Sequence, residues 1–137
     1  MVKKLFTILG ASILACALLM GCSSNKLAST FDEETVKTAA EEIVDLVNAD
    51  DFDTLLNDKS NDEVKAAITS DQMVAAKKQI MDQAGAFTSY KSVVVMGDKK
   101  DDKDIAIVVL VAKYENKTVK YTIGFDENMK INTIYMS

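Results

Sequence analysis

One glycine divides this chain into two kinds of pattern. Before Gly85 the apolar residues recur at helical spacing. After it they alternate or run on in short blocks, as strands do, and the helical period does not return. Helices first and then a meander of strands specify an α+β fold. The N-terminal helices pack on one face of a curved four-stranded antiparallel sheet, because each element must bury its single apolar side against another layer.

The helical part punctuates itself. Thr30-Phe31-Asp32-Glu33 has the form of a capping box, with the Thr30 hydroxyl on the Glu33 amide and Glu33 reaching back. Val36, Ala40, Ile43 and Val47 follow on one stripe, widened by Ala39 and Val44. Asn48 to Asp51 is a break, and Asp50 or Asp51 caps a short helix carrying Phe52, Leu55 and Leu56. Ser60-Asn61-Asp62-Glu63 and Thr69-Ser70-Asp71-Gln72 repeat the box. Val64, Ala67 and Ile68 follow the first of these. After the second, Met73, Ala76, Ile80 and Ala84 form the last stripe, with Lys77, Lys78 and Asp82 turned outward. Gly85 is placed to close that helix in the left-handed conformation.

Four strands are expected beyond it. Phe87 to Met96 is β-rich around Val93, Val94 and Val95, and Gly97 to Asp104 reads as a charged turn. Ile105 to Tyr114 is apolar almost throughout, the signature of a central strand covered on both faces. Glu115-Asn116-Lys117 is a tight turn; Asn116-Lys117-Thr118 also matches a glycosylation acceptor, and turn chemistry explains it. Thr118 to Phe125 alternates, with Val119, Tyr121, Ile123 and Phe125 on one side. Ile131 to Met136 closes the sheet, with Ile131, Thr133 and Tyr135 on one face and Ile134 and Met136 on the other.

Ahead of the domain lies a leader. Lys3 and Lys4 precede an apolar run from Leu5 to Met20, shorter than the roughly 20 residues of a spanning helix. It ends in Leu19-Met20-Gly21-Cys22, which resembles a bacterial lipobox. That resemblance implies peptidase recognition through Leu19 and Gly21 and acylation of Cys22. Two or three acyl chains hold firmly, since each buried methylene contributes about 0.8 kcal/mol. The other reading of the same residues is an ordinary secretory signal cut elsewhere. The lipobox reading gives residues 1–21 as signal peptide, 22–29 as lipidated tether and 30–137 as a single α+β domain at the extracytoplasmic face of the cell membrane. Cys16 leaves with the leader and Cys22 is consumed by lipid, so the mature domain has no thiol for a disulfide or metal site.

Composition narrows the chemistry. There is no histidine, which removes the commonest general base and metal ligand. Serine–histidine–acid and cysteine–histidine catalysis are excluded, and zinc and copper sites are not expected. No metal or other cofactor is expected. The net charge of −5 becomes two units more negative once Lys3 and Lys4 are lost, and such a surface repels phosphate backbones, so nucleic acid is not an expected partner. The run Gly97 to Asp104 carries four carboxylates, but three interleaved lysines oppose a cation and the spacing is not that of an EF-hand. The strand cores contain no Asp or Glu to serve as a cavity base. Tyr90, Tyr114, Tyr121 and Tyr135 all fall on strands and, with Phe87, Phe125, Met81 and Met96, are the candidates to line an apolar cavity. The plainer reading is that they fill the core.

The order of elements is similar to a family of unknown function found in secreted proteins and lipoproteins of Gram-positive bacteria. Asp50-Asp51-Phe52-Asp53, Val64 to Thr69, Ser70-Asp71-Gln72-Met73, Gly85-Ala86-Phe87 and Phe125-Asp126 through Lys130-Ile131 carry the resemblance, which spans roughly Phe31 to the C-terminus. It implies a nuclear-transport-factor-two-like, or cystatin-like, fold: a curved sheet around helices, often leaving a cone-shaped cavity. Some relatives place this module before a secreted α/β-hydrolase domain, but no Gly-x-Ser-x-Gly elbow is present here. The family lends no catalytic residues. The expectation is therefore a non-enzymatic, membrane-anchored binding module. Its partner is an apolar small molecule in the cone or another protein across the sheet face, a homodimer included. The alternatives are a cryptic isomerase- or hydrolase-like enzyme using a cavity tyrosine, and a structural accessory of an envelope complex.

Overall fold

The structure, a computed structural model, describes residues 26–137. Residues 1–25, with Leu19, Gly21 and Cys22 of the expected lipobox, lie outside the described residues. Four helices precede four strands: α1 (Glu33–Asn48), α2 (Phe52–Lys59), α3 (Asp62–Ala67), α4 (Ser70–Ile80), then β1 (Phe87–Lys100), β2 (Lys103–Tyr114), β3 (Thr118–Phe125) and β4 (Ile131–Met136). The strands form one antiparallel meander in the order β1-β2-β3-β4. α1 lies across β1, β2 and β3 and also packs on α2; α3 lies along β4. The α+β architecture read from the period change is the architecture observed.

The caps differ from the sequence reading in an instructive way. Asp32, not Thr30, caps α1: its carboxylate accepts from the Thr35 amide at 2.9 Å and the Thr35 hydroxyl at 2.8 Å. A carboxylate is the stronger acceptor at the positive end of a helix, and the Thr35 hydroxyl bond followed by the amide bond holds its pKa below the usual value. Asn61, not Ser60, caps α3. Ser60 is instead buried, its hydroxyl donating to Leu55 O at 2.9 Å while its backbone bridges to Ile131. The box at Thr69 and Gln72 is present with both bonds. α1 closes on Asp50, which sits at φ 59, with Asp51 N–H on Leu46 O and Asp50 N–H on Val47 O. Lys77, expected outward, folds across to Asp50 at 2.6 Å. Gly85 is left-handed at φ 79, but α4 has already ended at Ile80, and a turn with Gln83 at φ 60 intervenes.

The core is the seam between helices and sheet. α1 contributes Val36, Ala40, Ile43, Val44 and Val47, α2 contributes Phe52, Leu55 and Leu56, and the sheet contributes alternate residues of β2 and β3. Full burial of side chains of this size contributes roughly 1.5–3 kcal/mol each.

The sheet departs from the expected pattern at two places. The charged stretch after Gly97 is not a loop: β1 and β2 stay paired to Lys100 and Lys103, and only Asp101 and Asp102 turn, at φ 52 and 64. Ile131 is fully buried on the helix side with Ile134 and Met136, away from Thr133 and Tyr135. A bulge opposite Gly124 and Phe125 inserts Asn132 and reverses the expected side of Ile131.

Candidate functional site

The tyrosines divide between the two faces of the sheet. Two irregularities in β1, at Thr88 and at Lys91, allow both Phe87 and Tyr90 to face the helices, opposite the buried Tyr114 and Ala112. Strict alternation would have put them on opposite faces. Phe87 meets Tyr90 at a ring separation of 5.0 Å and Tyr114 edge-on at 5.7 Å. Beneath them the Tyr114 hydroxyl donates to Asn48 Oδ1 at 2.6 Å, so Tyr121 must donate to Tyr114 at 2.5 Å. Both rings are almost wholly buried. Burial pushes all three phenols, Tyr90, Tyr114 and Tyr121, above the usual value. At Tyr90 the nearby Asp45 and Glu41 charges add to it; at Tyr114 the bonds to Tyr121 and Asn48 work against it.

Tyr135 and Met96 do not join this group. Tyr135 is opposite Thr122 and Met96 opposite Ile107, both on the far face of the sheet. Of the residues expected to line a cavity, Phe87, Tyr90, Tyr114 and Tyr121 thus share one packed aromatic cluster, and Tyr135 and Met96 look out. Asn48, which completes the hydroxyl chain, was invisible in the sequence because it lay in an expected helix break.

That far face is the most distinctive surface. Its row on β2 is Ile105, Ile107, Val109 and Val111, half-exposed, while the alternate residues Ala106, Val108, Leu110, Ala112 and Tyr114 are buried. On β1 the row continues with Val94, 48% exposed, and Met96; on β3 and β4 it continues with Thr122 and Tyr135, the last 69% exposed. Coverage of β2 on both faces, as its composition predicts, is therefore not found: among the described residues no layer lies on the second face. Lys113 and Lys120 stand at one end of this face, and Asp98, Lys100 and Lys103 at the other.

Two open grooves flank the helices. One, of about 470 Å³, lies beside α1 over Ile43 and Phe125, with Glu42 and Lys59 paired at 3.4 Å on its rim. The other, of about 440 Å³, separates α4 from β4 and is lined chiefly by Ile68, Met73, Ala76, Ile80, Ile134 and Met136, with Tyr135 at its mouth. The sequence reading assigned Ile68, Met73, Ala76 and Ile80 to core stripes, yet only Met73 is fully buried. A short helix that packs mainly on α2 leaves that stripe partly uncovered.

A family model described as a protein of unknown function, DUF3887, matches residues 40–134. None of the curated proteins matches the chain. Among solved structures, the chain is similar to the NMR structure of a protein from Ruminococcus gnavus ATCC 29149. The identity is 25% and the TM-score 0.72, over 81% of this chain and 96% of that one.

Proposed function

The chain belongs to this family of unknown function, DUF3887, and on that premise we propose that it is a lipid-anchored, extracytoplasmic binding module without catalytic activity. Its working surface is the open face of the sheet, and the occupant of that face is a second copy of the chain. The observation that carries this reading is the uncovered row of Val94, Met96, Ile107, Val109 and Val111, with Tyr135 beside it. A strand that is apolar on both sides and buried on one leaves a surface of the kind that marks protein association. The second copy is the occupant because a two-fold axis through this face sets the apolar row of one copy against the same row of the other. The non-catalytic reading is supported by the polar groups at the helix–sheet seam, where Asn48, Tyr114 and Tyr121 are bonded to one another rather than aimed into open space. Anchoring is supported by the lipobox residues Leu19, Gly21 and Cys22. The helices laid on one side of a bulged four-stranded meander support a nuclear-transport-factor-two-like relationship.

Sedimentation equilibrium on residues 26–137 tests the surface. At about 100 µM, a hundredfold above a micromolar dissociation constant, the expected species is a dimer. Val109→Lys returns it to monomer, and its melting temperature equals the wild type's when both are measured well below the dissociation constant, where neither is dimeric. A wild-type monomer under those conditions overturns the self-association reading. The α4–β4 groove favours a second reading, an apolar small molecule, because its volume and lining fall in the range of ligand sites. Native mass spectrometry of the chain from its own host tests this. A bound mass that Met73→Lys removes supports it; a bare chain rejects it.

A further inference from the structure

The described chain begins by packing against the sheet, and this determines which end of the domain faces the membrane. Lys26 and Leu27, assigned by the sequence to the short polar tether, lie on Gly97 of β1: a Cβ at Gly97 would fall 2.1 Å from Lys26 O and 2.9 Å from Leu27 Cα. Leu27 is partly buried against the core. Only Ser23, Ser24 and Asn25 separate Lys26 from Cys22. Four peptide steps reach at most about 14 Å however the chain runs. A lipid on Cys22 therefore holds the bilayer surface within about 14 Å of Lys26, and so close to its seat on Gly97.

Gly97 sits at the base of the β1–β2 hairpin. The last β2–β3 pair is Ala106 with Phe125, whereas β1 and β2 continue through Asp98–Ile105, Lys99–Asp104 and Lys100–Lys103. The other end of the sheet, at Phe87, is ten residues along β1, roughly 30 Å away at strand rise. We infer that the β1–β2 hairpin arm is the part of the domain that meets the lipid headgroups, and that the Glu115–Lys117 turn is held away from them. This rests on lipidation of Cys22.

The arm suits that place. Lys99, Lys100 and Lys103 are exposed and alternate with Asp98, Asp101, Asp102 and Asp104, so the arm presents cations to headgroup phosphates with little net charge. The pairing of Lys100 to Glu63, at 3.7 Å and largely exposed, is of the weak kind that a headgroup displaces. Asp126 and Glu127 of the neighbouring turn line the same polar groove as the arm, which limits its approach to strongly anionic surfaces. The orientation leaves the open sheet face upright on the membrane, free for a second anchored copy.

The test uses the full chain, processed in a lipidating host and reconstituted in phosphatidylcholine vesicles carrying a headgroup spin label. Lipidation consumes Cys22 and the leader removes Cys16, so an introduced cysteine is the sole labelling site. Fluorophores go on Lys103→Cys in the arm and, separately, on Thr118→Cys at the far end. The expected result is several-fold stronger quenching at position 103, lost when a long Gly/Ser segment is inserted after Asn25. Equal or stronger quenching at position 118 in an acylated chain overturns the orientation while leaving the anchor intact. A processed chain that carries no acyl mass and behaves as its Cys22→Ala variant overturns both.

Discussion

At the residue scale the hydroxyl chain Tyr121–Tyr114–Asn48 decides which substitutions the core tolerates. Tyr121→Phe removes one donor and leaves Tyr114 bonded to Asn48. Tyr114→Phe strands the Tyr121 hydroxyl in the core and frees Asn48, and a buried orphan of that kind costs about 1–3 kcal/mol. Thermal or urea unfolding is expected to rank Tyr114→Phe well below Tyr121→Phe; the reverse order would sink the donor assignment. The same phenols set the alkaline limit. Burial holds their folded pKa above the unfolded value of 10.0, so their contribution is complete below that pH and is lost as pH rises beyond it. Phenolate absorbance from Tyr114 and Tyr121 should therefore appear together with the loss of far-ultraviolet structure. Their strand positions were legible from alternation. The meeting with Asn48, 66 residues from Tyr114, was not, because no local pattern encodes a contact across the seam.

At the element scale, helix starts and turns were legible in kind, and their exact members came from competition among neighbours. Asp32 outcompetes Thr30 two residues earlier, whereas Thr69 has no such rival and keeps its box. Thr69→Ala is expected to lower stability by about 1 kcal/mol and Thr30→Ala to leave it within a few tenths. Paired melting curves separate the two assignments. The hairpin turn carries strain of its own, with Asp101 and Asp102 both left-handed. The double substitution Asp101→Asn with Asp102→Gly fits that geometry and should raise stability by about 1 kcal/mol. An unchanged or lower midpoint would contradict the two-residue turn. Charge density made this stretch look like a loop. Pairing with β2 overrode it, because alternate charged side chains project from an arm that has no layer against it. The bulges in β1 and at Asn132 are likewise absent from periodicity, since one inserted residue reverses the phase that periodicity measures.

At the scale of the whole molecule, two surfaces of the sheet are decided by packing, one left open and one covered. One is the open sheet face, whose Val109→Lys test separates association from stability. The other is the seat of Lys26 on Gly97. Gly97→Ala forces that backbone away, and the expected outcome is faster tryptic cleavage after Lys26 with the sheet retained. Unchanged cleavage would show that the N-terminal segment is not held there. The sequence alone determined the α+β class, the order of eight elements and the apolar stripes of α1 and α2, because helical and strand periods are local and Gly85 separates them cleanly. Only the tertiary structure decided which face of β2 is buried. The same holds for the sides of Ile131, Phe87 and Tyr90, and for the start of the packed chain. Each depends on the phase of one element against another, and an apolar residue reads the same in sequence whether its neighbour is the core or a partner yet to arrive.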